Sequence, residues 1–239
     1  YLLRSESDPI FAAALRACDI ALKARVPVVM TLGTASLIGS KRDFFRDFIK
    51  DRVTVVAMND QEALALTGEQ DPLLAADKAL GLTDLALLTV GEHGLYLAGW
   101  VDERFARQTS YELHSKAIAE YNRFEFSRPM RRSDCEKPVK IYTHINPFMG
   151  GPGLIRNTNG AGDGALAALL HDMGARKYHR TKVPNSTKNL ENSLTYSSLS
   201  QIAKYANRVS YEVLAQNSPR LARGLPEREA SLEEAYWDA

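Results

Sequence analysis

The chain has 239 residues, with 30 Lys and Arg against 29 Asp and Glu, so its net charge is +1. A charged fraction of 25% and a hydrophobic fraction of 45% are those of an ordinary globular domain. This balance excludes a disordered tail, a collagen-like fibre and a strongly basic nucleic-acid-binding domain. The length suffices for one large domain or two small ones with a substantial core. Cys18 and Cys135 are too few for a disulfide framework, so a reducing, cytoplasmic compartment is expected. The longest apolar runs, such as 26–32, fall far short of the ~20 residues of a membrane helix. Tyr1-Leu2-Leu3-Arg4 has neither the charged n-region nor the apolar h-region of a signal peptide. It reads as an opening in mid-protein, so a longer parent chain is expected.

In chain order, apolar residues at helical spacing (Phe11, Ala14, Leu15, Cys18, Ala21, Leu22) predict a helix over 11–24, after the start signal Asp8-Pro9. The Val-rich run 26–32 ends in Gly33 and predicts a buried strand. A helix over 43–50, a strand over 53–57, a helix over 62–67 closing on Gly68 and a helix over 72–80 follow. Residues 85–89 and 95–100 predict two more apolar strands. Apolar strands alternating with helices argue for an α/β architecture with a mainly parallel sheet.

The pattern then changes. Residues 101–154 are polar, aromatic-rich and weakly periodic, with six basic and three acidic residues between 123 and 140. A structureless stretch of that length is unusual inside a domain, so strand pairs or a functional insertion are expected there. Residues 163–173 predict a helix. Residues 176–192 are rich in Asn, Lys and Thr and read as a mobile loop, extending toward 197. A long helix is predicted over 198–217. The acidic tail from Glu227 reads as a solvated helix.

Asn157-Thr158-Asn159-Gly160-Ala161-Gly162-Asp163-Gly164 carries the most chemistry. A tight Gly-Ala-Gly turn leaves backbone N–H groups uncovered, and a helix starts at once. N–H groups at a helix N-terminus form a site for anionic oxygens, such as those of a phosphoryl group in transfer. Asp163 stands where it could accept the proton of an attacking hydroxyl. The helix dipole keeps it ionised, so it would act more by positioning than by strong basicity. Taken alone, the motif reads first as a Gly-rich turn with Asp163 as an N-cap.

These residues resemble the second signature of the ribokinase-like (carbohydrate and nucleoside kinase) family, Asp-Thr-x-Gly-Ala-Gly-Asp followed by a helix. Asn157 replaces the usual first Asp. The resemblance places that position near a metal or K⁺ site, where an amide oxygen can still ligate at one charge less. Asn59-Asp60-Gln61-Glu62, after a predicted strand, is similar to the family's Asn-x-x-Glu motif, which organises hydrated Mg²⁺ and phosphates. It is also a plain helix cap with Glu at the third position. Thr89-Val90-Gly91-Glu92-His93-Gly94 resembles the family's Thr-x-Gly-x-x-Gly nucleotide turn, and is also a hairpin turn. Asn207, on the last predicted helix, matches a nucleotide-contact position and is equally read as an ordinary exposed helix residue.

Three short motifs in family order, each at a strand end or helix start, reinforce one another. The segments 125–132, 141–144, 149–152, 183–186, 217–221 and 224–229 resemble the bacterial inosine-guanosine kinase branch, over nearly the whole chain. The resemblance implies a three-layer ribokinase-like fold lacking its N-terminal part and lid, with ATP as co-substrate, Mg²⁺ and K⁺ as cations, and a purine nucleoside phosphorylated on its 5′-hydroxyl. It implies Asp163 as catalytic base, Gly160, Ala161 and Gly162 as the anion hole, and Asn59, Thr89, Gly91, Gly94 and Asn207 at the nucleotide. It further implies Glu62 at Mg²⁺ through water and Asn157 at a second cation, with a homodimer as the assembly of the full-length protein. The acceptor-gripping N-terminal half of that family has no counterpart here. A catalytically silent nucleotide-binding module and another sugar or nucleoside kinase are the competing readings. A Rossmann dehydrogenase lacks its Gly-x-Gly-x-x-Gly unit here, and a Walker-type ATPase its Gly-x-x-x-x-Gly-Lys-Ser/Thr. The five histidines show no metal-ligand spacing.

Overall fold

The computed structural model describes residues 2–110, 116–148, 152–186, 189–190 and 192–226. The acidic tail expected from Glu227 lies outside them. Five strands form one sheet in the order β1 (Val29–Thr31), β2 (Val55–Asn59), β3 (Leu85–Thr89), β4 (Leu95–Asp102), β5 (Pro138–Ile145). β1, β2 and β3 are parallel; β4 runs back against β3, and β5 pairs antiparallel with β4. Four strands therefore share one direction, as a mainly parallel sheet requires.

The central strands are apolar on both faces because helices cover both. Val55, Ala57, Leu85 and Leu87 pack with α6 (Ala161–Lys182) and α7 (Leu199–Leu214) through Ala165, Leu169, Ile202 and Val209. Val56, Met58, Ala86 and Leu88 face the other way, onto α1 (Pro9–Lys23), α2 (Ala35–Ser40), α3 (Arg42–Arg52) and α4 (Asp60–Thr67). α5 (Pro72–Ala79) covers Ala98 and Trp100 with Leu73 and Ala76. The period-2 alternation thus divides one strand between two cores. Each buried Val or Leu contributes roughly 1.5–3 kcal/mol, so the two cores together outweigh any single polar contact in the fold.

Helix boundaries follow local chemistry. Asn59 caps α4 by accepting from the Glu62 N–H, while the Glu62 carboxylate accepts from the Asn59 N–H, a reciprocal capping box. Gly68 ends α4 at φ 78°, as its sequence position predicts. Asp71 caps α5 with Pro72 at the first helical position. Ser198 and Gln201 form a second capping box on α7.

Two expectations need adjustment. α6 runs on to Lys182, through seven residues of the stretch read as loop. Its polar side docks on the returning chain. Arg176 donates to the Ser193 carbonyl, Arg180 to the Leu190 carbonyl at 3.2 Å, and His179 stacks on Tyr196 at 4.4 Å. Asp172, buried, accepts from the N–H groups of Tyr196 and Ser197. A helix whose partners are backbone carbonyls leaves no apolar stripe to read. In the 101–154 stretch, one long strand, β5, pairs with β4 over eight positions, and the residues between hold bridges from Trp100 to Met130 and from Met130 to Ser193.

Gly94 is the tightest point of the sheet. Its φ is +82°, and a Cβ there would lie 2.0 Å from the Ile145 carbonyl oxygen. Gly94→Ala should lower unfolding stability by on the order of 3 kcal/mol, from strain plus displaced β5 backbone. Gly39→Ala, in open space within α2, should be neutral or add up to ~1 kcal/mol. Urea unfolding of both variants measures the contrast, and equal midpoints would refute it.

Candidate active site

The parallel strands end together. Asn59 and Thr89 are register partners at the ends of β2 and β3, and Leu32-Gly33 leaves β1 beside them. The first turn of α6 lies across these ends. Gly160 precedes it at φ +83°, and a Cβ on Gly160 would meet the Pro219 carbonyl oxygen at 2.8 Å. A Cβ on Gly162 would stand 3.9 Å from the Thr89 Oγ1. The Gly-Ala-Gly turn and the Thr89 turn, about 70 residues apart in sequence, therefore face each other with room for little more than a methyl group between them.

The first N–H groups of a helix have no carbonyl within it to bond. In α6 the first to close is that of Gly164, onto the Gly160 carbonyl at 2.8 Å. Ala161, Gly162 and Asp163 precede it, with Gly162 and Asp163 exposed. The turn thus offers uncovered N–H groups and a partial positive charge to an anion. Ser210 of α7 donates to the Ala161 carbonyl at 2.8 Å and fixes the turn from behind. The oxygen of the Asn157 side chain accepts from the Asn159 N–H at 3.0 Å, shaping the loop that enters the turn.

Glu62 is buried at 6% exposure, although it is a carboxylate. Burial pushes its pKa up, and the neighbouring carboxylates of Asp163 and Asp60 push the same way; N–H groups of Asn59 and Gly33 pull it back. Two carboxylates from α4 and α6 thus share one electrostatic site at the strand ends. A cation beside such a pair would relieve its repulsion. Among the described residues no group of three or more His, Cys, Asp or Glu could hold a metal ion alone. The donor set therefore fits Mg²⁺, which keeps most of its waters and takes one or two carboxylates with substrate phosphates.

The structure brings together Asn59, Glu62, Thr89, Gly160, Ala161, Gly162 and Asp163. Gly91 and Gly94 form the turn just beyond Thr89, with φ +50° and +82°. Asn207 lies apart in its bonding: it is buried, and its amide nitrogen donates to the Asn146 carbonyl at 2.6 Å, holding the chain after β5. Gly33 was not foreseen. Its N–H reaches the Glu62 carboxylate, and its φ of +85° suits only glycine. The Leu-Gly ending of the first strand was the available signal.

The architecture is that of the ribokinase-like, or PfkB, sugar and nucleoside kinases. An adenosine kinase from Sinorhizobium meliloti superposes with a TM-score of 0.58 at 19% identity, covering 98% of this chain and 52% of that one. A fructokinase from Vibrio cholerae O395, in its fructose-, ADP- and calcium-bound form, superposes with a TM-score of 0.58 at 13% identity, covering 97% and 57%. In sequence, the chain is a homologue of the guanosine-inosine kinase of Escherichia coli K12, 57% identical over all 239 residues. It spans 55% of that relative's length. No protein-family model matches the chain. Among the described residues no helix is long and apolar enough to cross a membrane.

A raised carboxyl makes the folded state bind protons more readily than the unfolded chain. Stability then falls as pH rises from the ordinary glutamate range through the raised value of Glu62. Glu62→Gln keeps an acceptor for the Asn59 N–H and removes the charge. In metal-free buffer the variant should match the parent at pH 3–4 and exceed it at pH 7. Thermal unfolding across that range measures the difference; a variant less stable at pH 7 than at pH 4, relative to the parent, would count against it.

Proposed function

We propose that the chain carries the nucleotide-binding elements and catalytic base of an ATP-dependent kinase for a purine nucleoside, inosine or guanosine. The observation that carries this is the meeting of Glu62, Thr89, Asp163 and the uncovered N-terminus of α6 at the strand ends. The 57% identity to a guanosine-inosine kinase supports the acceptor class.

In this reading, the γ-phosphate lies over the N–H groups of Gly160, Ala161 and Gly162. The 5′-hydroxyl oxygen attacks the γ-phosphorus, and the bond from that phosphorus to the β,γ-bridging oxygen breaks, releasing ADP. Asp163 takes the hydroxyl proton. Charge on the equatorial oxygens grows toward the helix dipole, and the fixed N–H groups meet it without reorganising. The nucleotide runs along Asn59, Thr89, Gly91 and Gly94, with Asn207 behind the chain that follows β5. Bound Mg²⁺, held through water by Glu62, would neutralise phosphate charge and relieve the like-charge pair. K⁺ beside Asn157 would be a second electrostatic aid, and a homodimer is the proposed assembly of the whole enzyme.

The test is transfer of labelled γ-phosphate from ATP to inosine and guanosine. It is run with the chain as given and with the chain joined to the part of the E. coli relative that it does not match. Transfer in at least the joined form is expected. Nucleotide binding without acceptor-dependent ADP release in both would select a silent nucleotide-binding module instead.

In the active form, Asp163→Asn should lower kcat by roughly 10²-fold or more, with the KM for ATP nearly unchanged. Turnover near the parent rate would remove Asp163 from the chemistry. Glu62→Gln should shift the Mg²⁺ titration to higher concentration. An unchanged titration would leave Glu62 as a helix cap.

A further inference from the structure

We infer that the 101–154 stretch positions the Gly91–His93 turn for nucleotide, and that His144 is the residue through which it acts. The inference rests on the nucleotide reading of that turn. His144 sits near the end of β5, opposite Tyr96 of β4. Its ring stacks on Tyr96 with centroids 4.2 Å apart. Its Nε2 lies 2.8 Å from the His93 carbonyl oxygen, and its Nδ1 lies 3.1 Å from the Tyr121 hydroxyl.

A carbonyl oxygen only accepts, so the proton belongs on Nε2, and Nδ1 accepts from Tyr121. Burial holds His144 below its ordinary value; the bond to the His93 carbonyl pulls it back up in part, and the charges of Lys116 and the His93 ring push it down again, so the net shift favours the neutral ring. The titratable groups facing the ring are Tyr96, Tyr121, Lys116 and His93. The backbone N–H of His144 also donates to the Asn122 side-chain oxygen at 3.0 Å. Tyr121 and Asn122 both belong to the stretch between β4 and β5. That stretch therefore grips His144 from two sides, and His144 grips the turn.

The turn needs such a brace. Within it, the His93 N–H bonds the Val90 carbonyl, the Gly94 N–H bonds the Gly91 carbonyl, and the Val90 N–H bonds the Gly94 carbonyl. Two glycines at positive φ leave its backbone soft. The bond to His144 ties the His93 carbonyl to β5 from outside. The turn's orientation relative to Gly162 and Asp163 then depends on a rigid strand. His144 is a positioning residue: it touches the turn, not the phosphate.

The test measures binding of a non-hydrolysable ATP analogue with Mg²⁺ by calorimetry, beside nucleotide-free melting. His144→Gln places an amide donor near the Nε2 position, whereas His144→Asn is too short to reach the His93 carbonyl. His144→Phe keeps the stack on Tyr96 and loses both bonds. Gln should bind within about 2-fold of the parent, while Asn and Phe should weaken Kd about 5-fold or more, the scale of one lost hydrogen bond in a positioned loop. Tyr121→Phe should weaken it by about 4-fold, outside the range allowed to Gln. Parent-like affinity in Asn and Phe, or equal weakening in Gln and Asn, would overturn the role of His144. Parent-like affinity in Tyr121→Phe alone would overturn the part assigned to the 101–154 stretch. The measurement uses the chain or, where that does not bind, the joined form; if neither binds nucleotide, the nucleotide reading itself fails, and this inference with it.

Discussion

The approach of α6 to the sheet and to α7 is the constraint on which the site depends. Two glycines permit it. Gly160 turns the chain at positive φ against Pro219, where any side chain would collide with backbone. Gly164 faces Val213 and Val209 of α7, with only 3.0 Å from a would-be Cβ to the nearer methyl. Helices pack this closely only where one surface lacks side chains. Because α6 sits so deep, its N-terminus arrives at the strand ends instead of above them. The anion-binding N–H groups, Thr89 and Asp163 share a site for that reason.

The electrostatics of the site run against the stability of the fold. A buried Glu62 with acidic neighbours costs free energy that an apolar residue would not. The capping box recovers part of it, because the Asn59 N–H is bonded by the same carboxylate. Gly33, just past the end of β1, supplies another N–H. The remaining imbalance is the kind found where a cation or substrate completes a site. Elsewhere the chain settles its buried charges internally. Asp102 accepts from the backbone of Arg104, Glu136 and Lys137, and thereby closes the base of the stretch between β4 and β5.

The comparisons give two kinds of support. Structures at 13–20% identity fix the fold, because shape outlasts sequence. The 57% relative carries the acceptor class, yet the chain matches only 55% of its length. The features described here lie within the matched part.

Local chemistry was legible in the sequence wherever a few adjacent residues decide the outcome. The runs 53–57 and 85–89 read as buried strands because helices cover both faces and both faces are therefore apolar. Asn59 and Glu62 read as a cap because the box is closed within four residues. Gly68 marked a helix end for the same reason. The Gly-Ala-Gly turn ahead of a helix was legible as a turn, since three small residues and a following apolar helix are adjacent in sequence. The rest required the tertiary structure. Residues 176–182 look like loop in sequence, and become helix because Arg176 and Arg180 find carbonyls on a segment that folds back later. Glu62 and Asp163 are about a hundred residues apart, so their shared field exists only once α4 and α6 converge. His144 closes a segment, 141–144, that marks resemblance but assigns the ring no role. Its place between Tyr121 and the His93 carbonyl is set by the β4–β5 register, which depends on long-range pairing that no local pattern encodes.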